Sequence, residues 1–206
     1  VGNVTNMFYM FGECKIFNNG DLGDNGNKPL NWNVGKVTNI QEIFSWCENF
    51  NQQLISKNKE TNEIEDWNVG NVTNMFYMFG KCKIFNNGDP YNKGNKPLNW
   101  NVGNVEDMAL MFEECENFNQ PLNWINVKND KNVKNIMTKM FNNCKKFNNG
   151  GKTLNWNVEN VKVMDAMFVN CGEFNQTLNW INVENVRNMR AMFVECVNFN
   201  NGGKPL

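Results

Sequence analysis

The sequence predicts an α/β repeat solenoid of about seven modules, with short parallel strands on one face and short helices on the other. Three observations carry that prediction. Cysteines fall at Cys14, Cys47, Cys82, Cys115, Cys144, Cys171 and Cys196, at spacings of 33, 35, 33, 29, 27 and 25 residues. Each has a Phe three residues before it and another three residues after it, the second followed by Asn. Between these motifs runs a second phrase: "LNWNVG" at Leu30 and Leu98, "EDWNVG" at Glu65, "LNWINV" at Leu122 and Leu178, and "LNWNVE" at Leu154. Units that recur at this period cannot bury their apolar side chains alone and do so by stacking.

Each element follows from one module, Trp67 to Asn86. Trp67 and Val69 alternate with Asn68, the period of a short strand. Gly70 and Asn71 make a turn, and Thr73 is a helix N-cap. Met75, Met78, Phe79 and Cys82 then stand at i, i+3, i+4 and i+7, one face of a helix of about ten residues. In the preceding module Thr38 and Gln41 fit a capping box. A helix this short does not stand alone in water, so its neighbours must hold it. Phe stacked on Phe and Trp on Trp give one continuous core. Strand steps of about 4.8 Å make the ladder roughly 30 Å long.

The modules are also copied in pairs. Residues 2–21 recur at 70–89 with one change, Glu13→Lys81, and "GNKPLNWNVG" at 26–35 recurs at 94–103, both 68 residues apart. The copying unit is a pair, whereas the structural unit read from the spacing is a single Trp-to-Phe module. Insertions keep to fixed places: "FNNGDLGDNGNKPLNW", "FNQQLISKNKETNEIEDW" and "KNDK" at Lys128 to Lys131. Their Gly, Asn, Asp, Pro and Lys content is that of surface loops. The charged stretch from Ser56 to Asp66 reads as a mobile loop.

Composition narrows the function. There are 46 Asn among 206 residues, and 18 Lys against 2 Arg, a bias that A/T-rich coding accounts for. There is no His, which removes the commonest general acid–base group and metal ligand. No nucleophile elbow, clustered carboxylates or phosphate loop is present, so no enzyme and no cofactor is expected. The net charge of −1 gives no electrostatic draw to nucleic acid. No apolar run is long enough to span a bilayer, so this segment is not expected to insert directly into a membrane. The chain reads as a single array over 1–206, excerpted from a longer protein because it opens at Val1 inside a recurring motif.

The run from Trp67 to Asn87, W-N-V-G-N-V-T-N-M-x-x-M-F-x-x-C-x-x-F-N-x, resembles the BspA-like surface-protein repeats, leucine-rich-repeat relatives of the mycoplasmal type. The resemblance extends over the whole chain. It implies a leucine-rich-repeat-like solenoid, a place at the cell surface or in the secreted fraction, and a role in adhesion or other protein contact. Two features depart from the family's pattern. Asn68 and Asn74 stand where it usually has Asp, and "PLNW" is one residue shorter between Leu and Trp.

The candidate sites follow. No cysteine pair has metal-ligand spacing, so the thiols are expected as a core ladder without metal. Disulfides between rungs are not expected, because helices pack 8–10 Å apart and bridged Cα atoms lie within about 7 Å. The Asn after each second Phe (Asn18, Asn51, Asn86, Asn119, Asn148, Asn175 and Asn200) is expected to form a ladder that satisfies buried backbone. If Trp and Val of the strand phrase point inward, then Asn31, Asn33, Asn68, Asn99, Asn101, Asn155, Asn157 and Asn179 form an outward, uncharged amide face. Such a face suits a protein or glycan surface ligand, or copies of the chain itself. Trp46, off the apolar stripe beside Cys47, is a candidate partner anchor. The sequons at Asn3, Asn71 and Asn175 are by-products of repeated phrases. The expected function is a non-catalytic surface or interaction protein. The alternative is a structural building block of a surface layer or a virion-associated assembly.

Overall fold

The Met-Phe-Cys segments decide the architecture, and they are not helical. A computed structural model describes residues 1–21, 28–58, 60–124, 135–180 and 182–205. The insertion at Lys128 to Lys131 lies outside them. Among the described residues no α-helix forms; the helical elements are three-residue 3-10 turns at Asn149–Gly151, Val183–Asn185 and Asn201–Gly203. Where helices were expected, alternate N–H groups donate to the next module. Met7, Tyr9, Phe11 and Glu13 donate to the carbonyls of Asn39, Gln41, Ile43 and Ser45 at 2.8–3.0 Å. The intervening Met10, Gly12 and Cys14 donate three residues back, to Met7, Tyr9 and Phe11, at 3.0–3.3 Å. Every second turn places a non-glycine residue at positive φ: Tyr9 at 55° and Glu13 at 62°, Glu42 at 56° and Trp46 at 63°, and so on to Ala191 at 55° and Glu195 at 60°.

The correction has a physical cause. Burial at i, i+3, i+4 and i+7 reports a chain that returns to one face every three to four residues. An α-helix does so, and so does this run of turns. A helix keeps all its N–H bonds internal, so the modules would be joined by side chains alone. The turns give half of theirs to the neighbour and so tie each module to the next. Left-handed residues outside glycine cost free energy that only surrounding structure can offset, and the inter-module bonds supply it here.

Pairing between modules is parallel and runs along two lines. One passes through the residue before the first Met: isolated bridges join Asn6 to Asn39, Asn39 to Asn74 and Asn74 to Asp107. It continues through β4 (Asn135–Ile136) and β5 (Val161–Val163), and then Val163 to Asn188. The other passes through the Leu of the Trp phrase: β1 (Leu30–Asn31) pairs in parallel with β2 (Leu54–Lys57), and bridges join Leu98 to Leu122 and Leu154 to Leu178. Apart from Leu54 and Ile55, which the hairpin separates from Trp67, this second line sits one or two residues before the Trp, not on the Trp and Val expected to form the strand. The charged stretch after Leu54 is not a plain loop. β2 pairs antiparallel with β3 (Ile64–Asp66), so the insertion is a hairpin at the edge of the stack.

Inside, one hydrophobic cluster runs from Met7 to Cys196. The first-Phe column stacks from Phe11 through Phe44, Phe79, Phe112, Phe141 and Phe168 to Phe193, with ring centroids 5.4–5.8 Å apart. The second-Phe column does the same from Phe17 to Phe199 at 5.6–5.9 Å. Such offset-stacked aromatic pairs each contribute about 0.5–1.5 kcal/mol beyond their buried area.

Candidate interaction face

Two polar ladders support the modules from within. The Asn after the second Phe forms an unbroken series: the N–H groups of Asn51, Asn86, Asn119, Asn148, Asn175 and Asn200 each donate to the side-chain oxygen of the preceding module's Asn at 2.7–2.9 Å. The thiols form the other. Cys47, Cys82, Cys115, Cys144, Cys171 and Cys196 donate to the carbonyls of Phe11, Phe44, Phe79, Phe112, Phe141 and Phe168 at 2.7–3.1 Å. All seven cysteines are free, and Cys14 alone is exposed. Burial pushes the Cys47 thiol up to about 12, and those of Cys82, Cys115, Cys144 and Cys171 well above the ordinary value of 9.0. These are protonated core groups, not nucleophiles.

Of the amides expected to face outward, Asn31, Asn33, Asn68, Asn99, Asn101, Asn155 and Asn179 are exposed and Asn157 is half-buried. Their amides are oriented by the backbone. The side-chain oxygens of Asn33, Asn68 and Asn101 accept from the N–H of Gly35, Gly70 and Gly103 at 3.1–3.2 Å. Asn157 accepts likewise from Glu159 at 3.1 Å. Their NH2 groups lie beside the glycine of the preceding module: a Cβ on Gly35 would stand 3.6 Å from that of Asn68, and one on Gly70 3.9 Å from that of Asn101. Asn31 accepts from the Lys57 N–H at 2.9 Å. Asn99 donates to Asp66 at 3.1 Å and accepts from Asn123 at 2.9 Å.

Asn123 belongs to the same column, and the sequence reading missed it although "LNW" at Leu122 marked it. Together with Asn155, Asn157 and Asn179 it lines an open groove of about 630 Å³ that the edges of Trp124 and Trp156 border. Both indoles are 1% exposed, so their faces belong to the core. At the other end the β2–β3 hairpin walls a second hollow of about 380 Å³ against Asn33 and Asn68, with Lys57, Asn58 and Glu65 in its lining. The face offers directional hydrogen bonds, with charge confined to the hairpin side at Lys57, Glu65 and Asp66. Among the described residues no group of three or more His, Cys, Asp or Glu could hold a metal ion, and no helix is long and apolar enough to cross a membrane.

Trp46 is half-buried, and the Lys81 ammonium lies 3.8 Å from its ring centroid. One face of the candidate anchor is therefore taken within the chain. The neighbouring column, one residue after each of the first five Cys, carries alternating charge, with Gly172 and Val197 in the last two modules: Lys15 pairs with Glu48 at 3.4 Å, Lys83 with Glu48 at 2.6 Å and Lys145 with Glu116 at 2.8 Å.

The family described as "Mycoplasma protein of unknown function, DUF285" matches residues 1–62, 54–137 and 129–204, which leaves almost none of the chain outside it. The chain belongs to the DUF285 family. Each of the first two matches spans two cysteine motifs and the third spans three, so the DUF285 unit is larger than one module. No curated protein and no solved structure matches the chain.

Proposed function

We propose that this DUF285 chain is a non-catalytic interaction module, a leucine-rich-repeat-like solenoid that displays its amide face at the cell surface or in the secreted fraction for adhesion or other protein contact. The observation that carries the reading is the row of exposed amides at Asn33, Asn68 and Asn101, each oriented by the same turn. Uniform, uncharged donors repeated once per module suit a ligand that is itself repetitive, a glycan or a regular protein surface, since many weak contacts add along a repeat.

The test is a glycan and surface-protein array probed with the labelled chain and with a triple variant, Asn33→Ala, Asn68→Ala and Asn101→Ala. Binding that falls at least tenfold in the variant while its unfolding midpoint holds is the expected result; binding that is indifferent to these residues, or turnover of any array component, overturns the proposal. A second reading is a building block of a surface layer or virion. Concentration-dependent oligomers in light scattering would favour it over the first.

A further inference from the structure

Residues 2–21 and 70–89 differ only at Glu13→Lys81, and the place of that difference is informative. Lys81 makes its contacts outside its own module and on both sides of it. Its ammonium lies 3.8 Å from the ring centroid of Trp46 in the preceding module and 3.7 Å from Glu114 in the following one. Glu13, its counterpart, turns within its own module to accept from the Tyr9 hydroxyl at 2.9 Å.

Modules this alike pose a folding problem. Each face that accepts one neighbour has the shape to accept another, and misassembly between like units is a characteristic failure of repeat proteins. We infer that the residues flanking the first five cysteines form a register code, and that the Glu13→Lys81 difference is the part of it that tells the third module from the first. The code has two levels. In the column after Cys, the signs run Lys15, Glu48, Lys83, Glu116, Lys145. A slip by one module sets like charge against like, Lys15 against Lys83 and Glu48 against Glu116. A slip by two modules leaves that column unchanged, because Lys15 and Lys83 are interchangeable. The column before Cys discriminates there. The first module in the place of the third sets the Glu13 carboxylate against the electron-rich face of Trp46 and against Glu114. Lys81 makes a cation–π contact and an ion pair at the same position.

The test compares the wild-type chain, Glu13→Lys, Glu13→Gln and the double variant Glu13→Lys with Lys81→Glu. Each is unfolded in urea and refolded at several concentrations. Module-exchanged dimer is then measured by size exclusion with light scattering, and by mass spectrometry of mixed heavy and light chains. Glu13→Lys keeps every contact of Lys81 and makes the two copies identical. It is expected to raise the exchanged fraction about fivefold, the size of one exposed ion pair plus one cation–π contact, with the unfolding midpoint of its monomer unchanged. Glu13→Gln, which weakens the Tyr9 bond without creating a second Lys, is expected to match wild type. The double variant is expected to exchange most, because its first module then suits the third position better than the third module does. Equal exchange in Glu13→Lys and wild type overturns the inference. An equal rise in Glu13→Lys and Glu13→Gln also overturns it, since the loss of the Tyr9 bond would then be the cause.

Discussion

Replacing Asn51 with Ala tests the asparagine ladder where it is best defined. Asn51 is 3% exposed. Its side-chain oxygen accepts from two buried N–H groups of the next module, Asn86 at 2.8 Å and Gly88 at 2.9 Å. Alanine removes the acceptor from both at once and places nothing polar in its stead. An orphaned buried donor costs about 1–3 kcal/mol, so the two together give about 2–6 kcal/mol. Water entering the space left by the amide will reduce the figure, and about 3 kcal/mol is the expected loss. The assay is urea unfolding followed by far-ultraviolet circular dichroism, read as a fall in midpoint at constant slope. Asn51→Asp keeps an oxygen for both donors and is expected to lose less than Asn51→Ala. A loss below about 0.5 kcal/mol, the range of an unremarkable surface substitution, would refute the claim that these amides hold successive modules together. So would an Asp variant no better than Ala.

Other expectations follow from the same geometry. On the outer face, Asn68→Ala removes one exposed turn bond to Gly70, and its unfolding midpoint should stay within about 0.5 kcal/mol of wild type. Native thiol labelling at pH 8 should modify Cys14 rapidly and the six buried cysteines only after denaturation, as peptide mass spectrometry would show. The thiol of Cys47 is raised in the folded state from 9.0 to about 12, so its contribution is complete below pH 9 and is lost as pH climbs from 9 to about 12. Thermal unfolding should accordingly show falling stability across that window, and Cys47→Ala should flatten the slope. A Cβ on Gly80 would collide with carbons of the Tyr77 ring. Gly80→Ala should therefore lower the melting temperature, and Tyr77→Ala in the same chain should recover part of the loss, the non-additivity expected of touching residues.

The sequence displayed its periodicity plainly because each module repeats the same buried set. Seven cysteines with Phe at fixed offsets mark seven equivalent positions, six of them buried, and the Phe columns follow the order of the motifs. Secondary structure was less legible. Spacing at i, i+3, i+4 and i+7 records which side chains are buried, not where the backbone N–H groups bond. The choice between helix and inter-module turns depends on those bonds. The abundance of Asn was legible too, but not the places where its amides bond. Coding bias explains a count; it does not explain why Asn6, Asn39, Asn74 and Asn188 each accept from the N–H two residues on at 2.9 Å. Nor does it explain Asn71 and Asn104 bonding the carbonyls of Gly35 and Gly70. Asn tolerates positive φ and bonds its own backbone locally, and a stack of turns needs both. The hairpin at Leu54–Asp66 was hidden because its residues are charged, and only their pairing with β2 orders them.

The pair of modules is a structural unit as well as a copied one, and the two kinds of phrase after the second Phe show why. In "FNN" modules a long loop precedes the Leu; in "FNQ" modules the Leu follows at once or nearly so. Within a pair the Leu N–H of the first module bonds backbone of the second: Leu30 to Gln53 at 2.9 Å, Leu98 to Pro121 at 3.1 Å, Leu154 to Thr177 at 3.2 Å. Between pairs the incoming long loop displaces that backbone, and the second Asn of "FNN" takes its place. Leu54, Leu122 and Leu178 donate to the side-chain oxygens of Asn87, Asn149 and Asn201 at 2.8–3.2 Å. The Gln of "FNQ" then fastens the loop of its own pair: Gln52 accepts from the Lys28 N–H and Gln120 from the Lys96 N–H, each at 2.8 Å, while their amides donate to Asp21 and Asp89 at 3.0 Å. A loop clamped at both ends by the same two side chains can change length between the clamps without disturbing the ladder. Duplication of the whole pair from 2–35 to 70–103 keeps the loop together with the Asp at its start, and the module that follows brings the Gln that holds it.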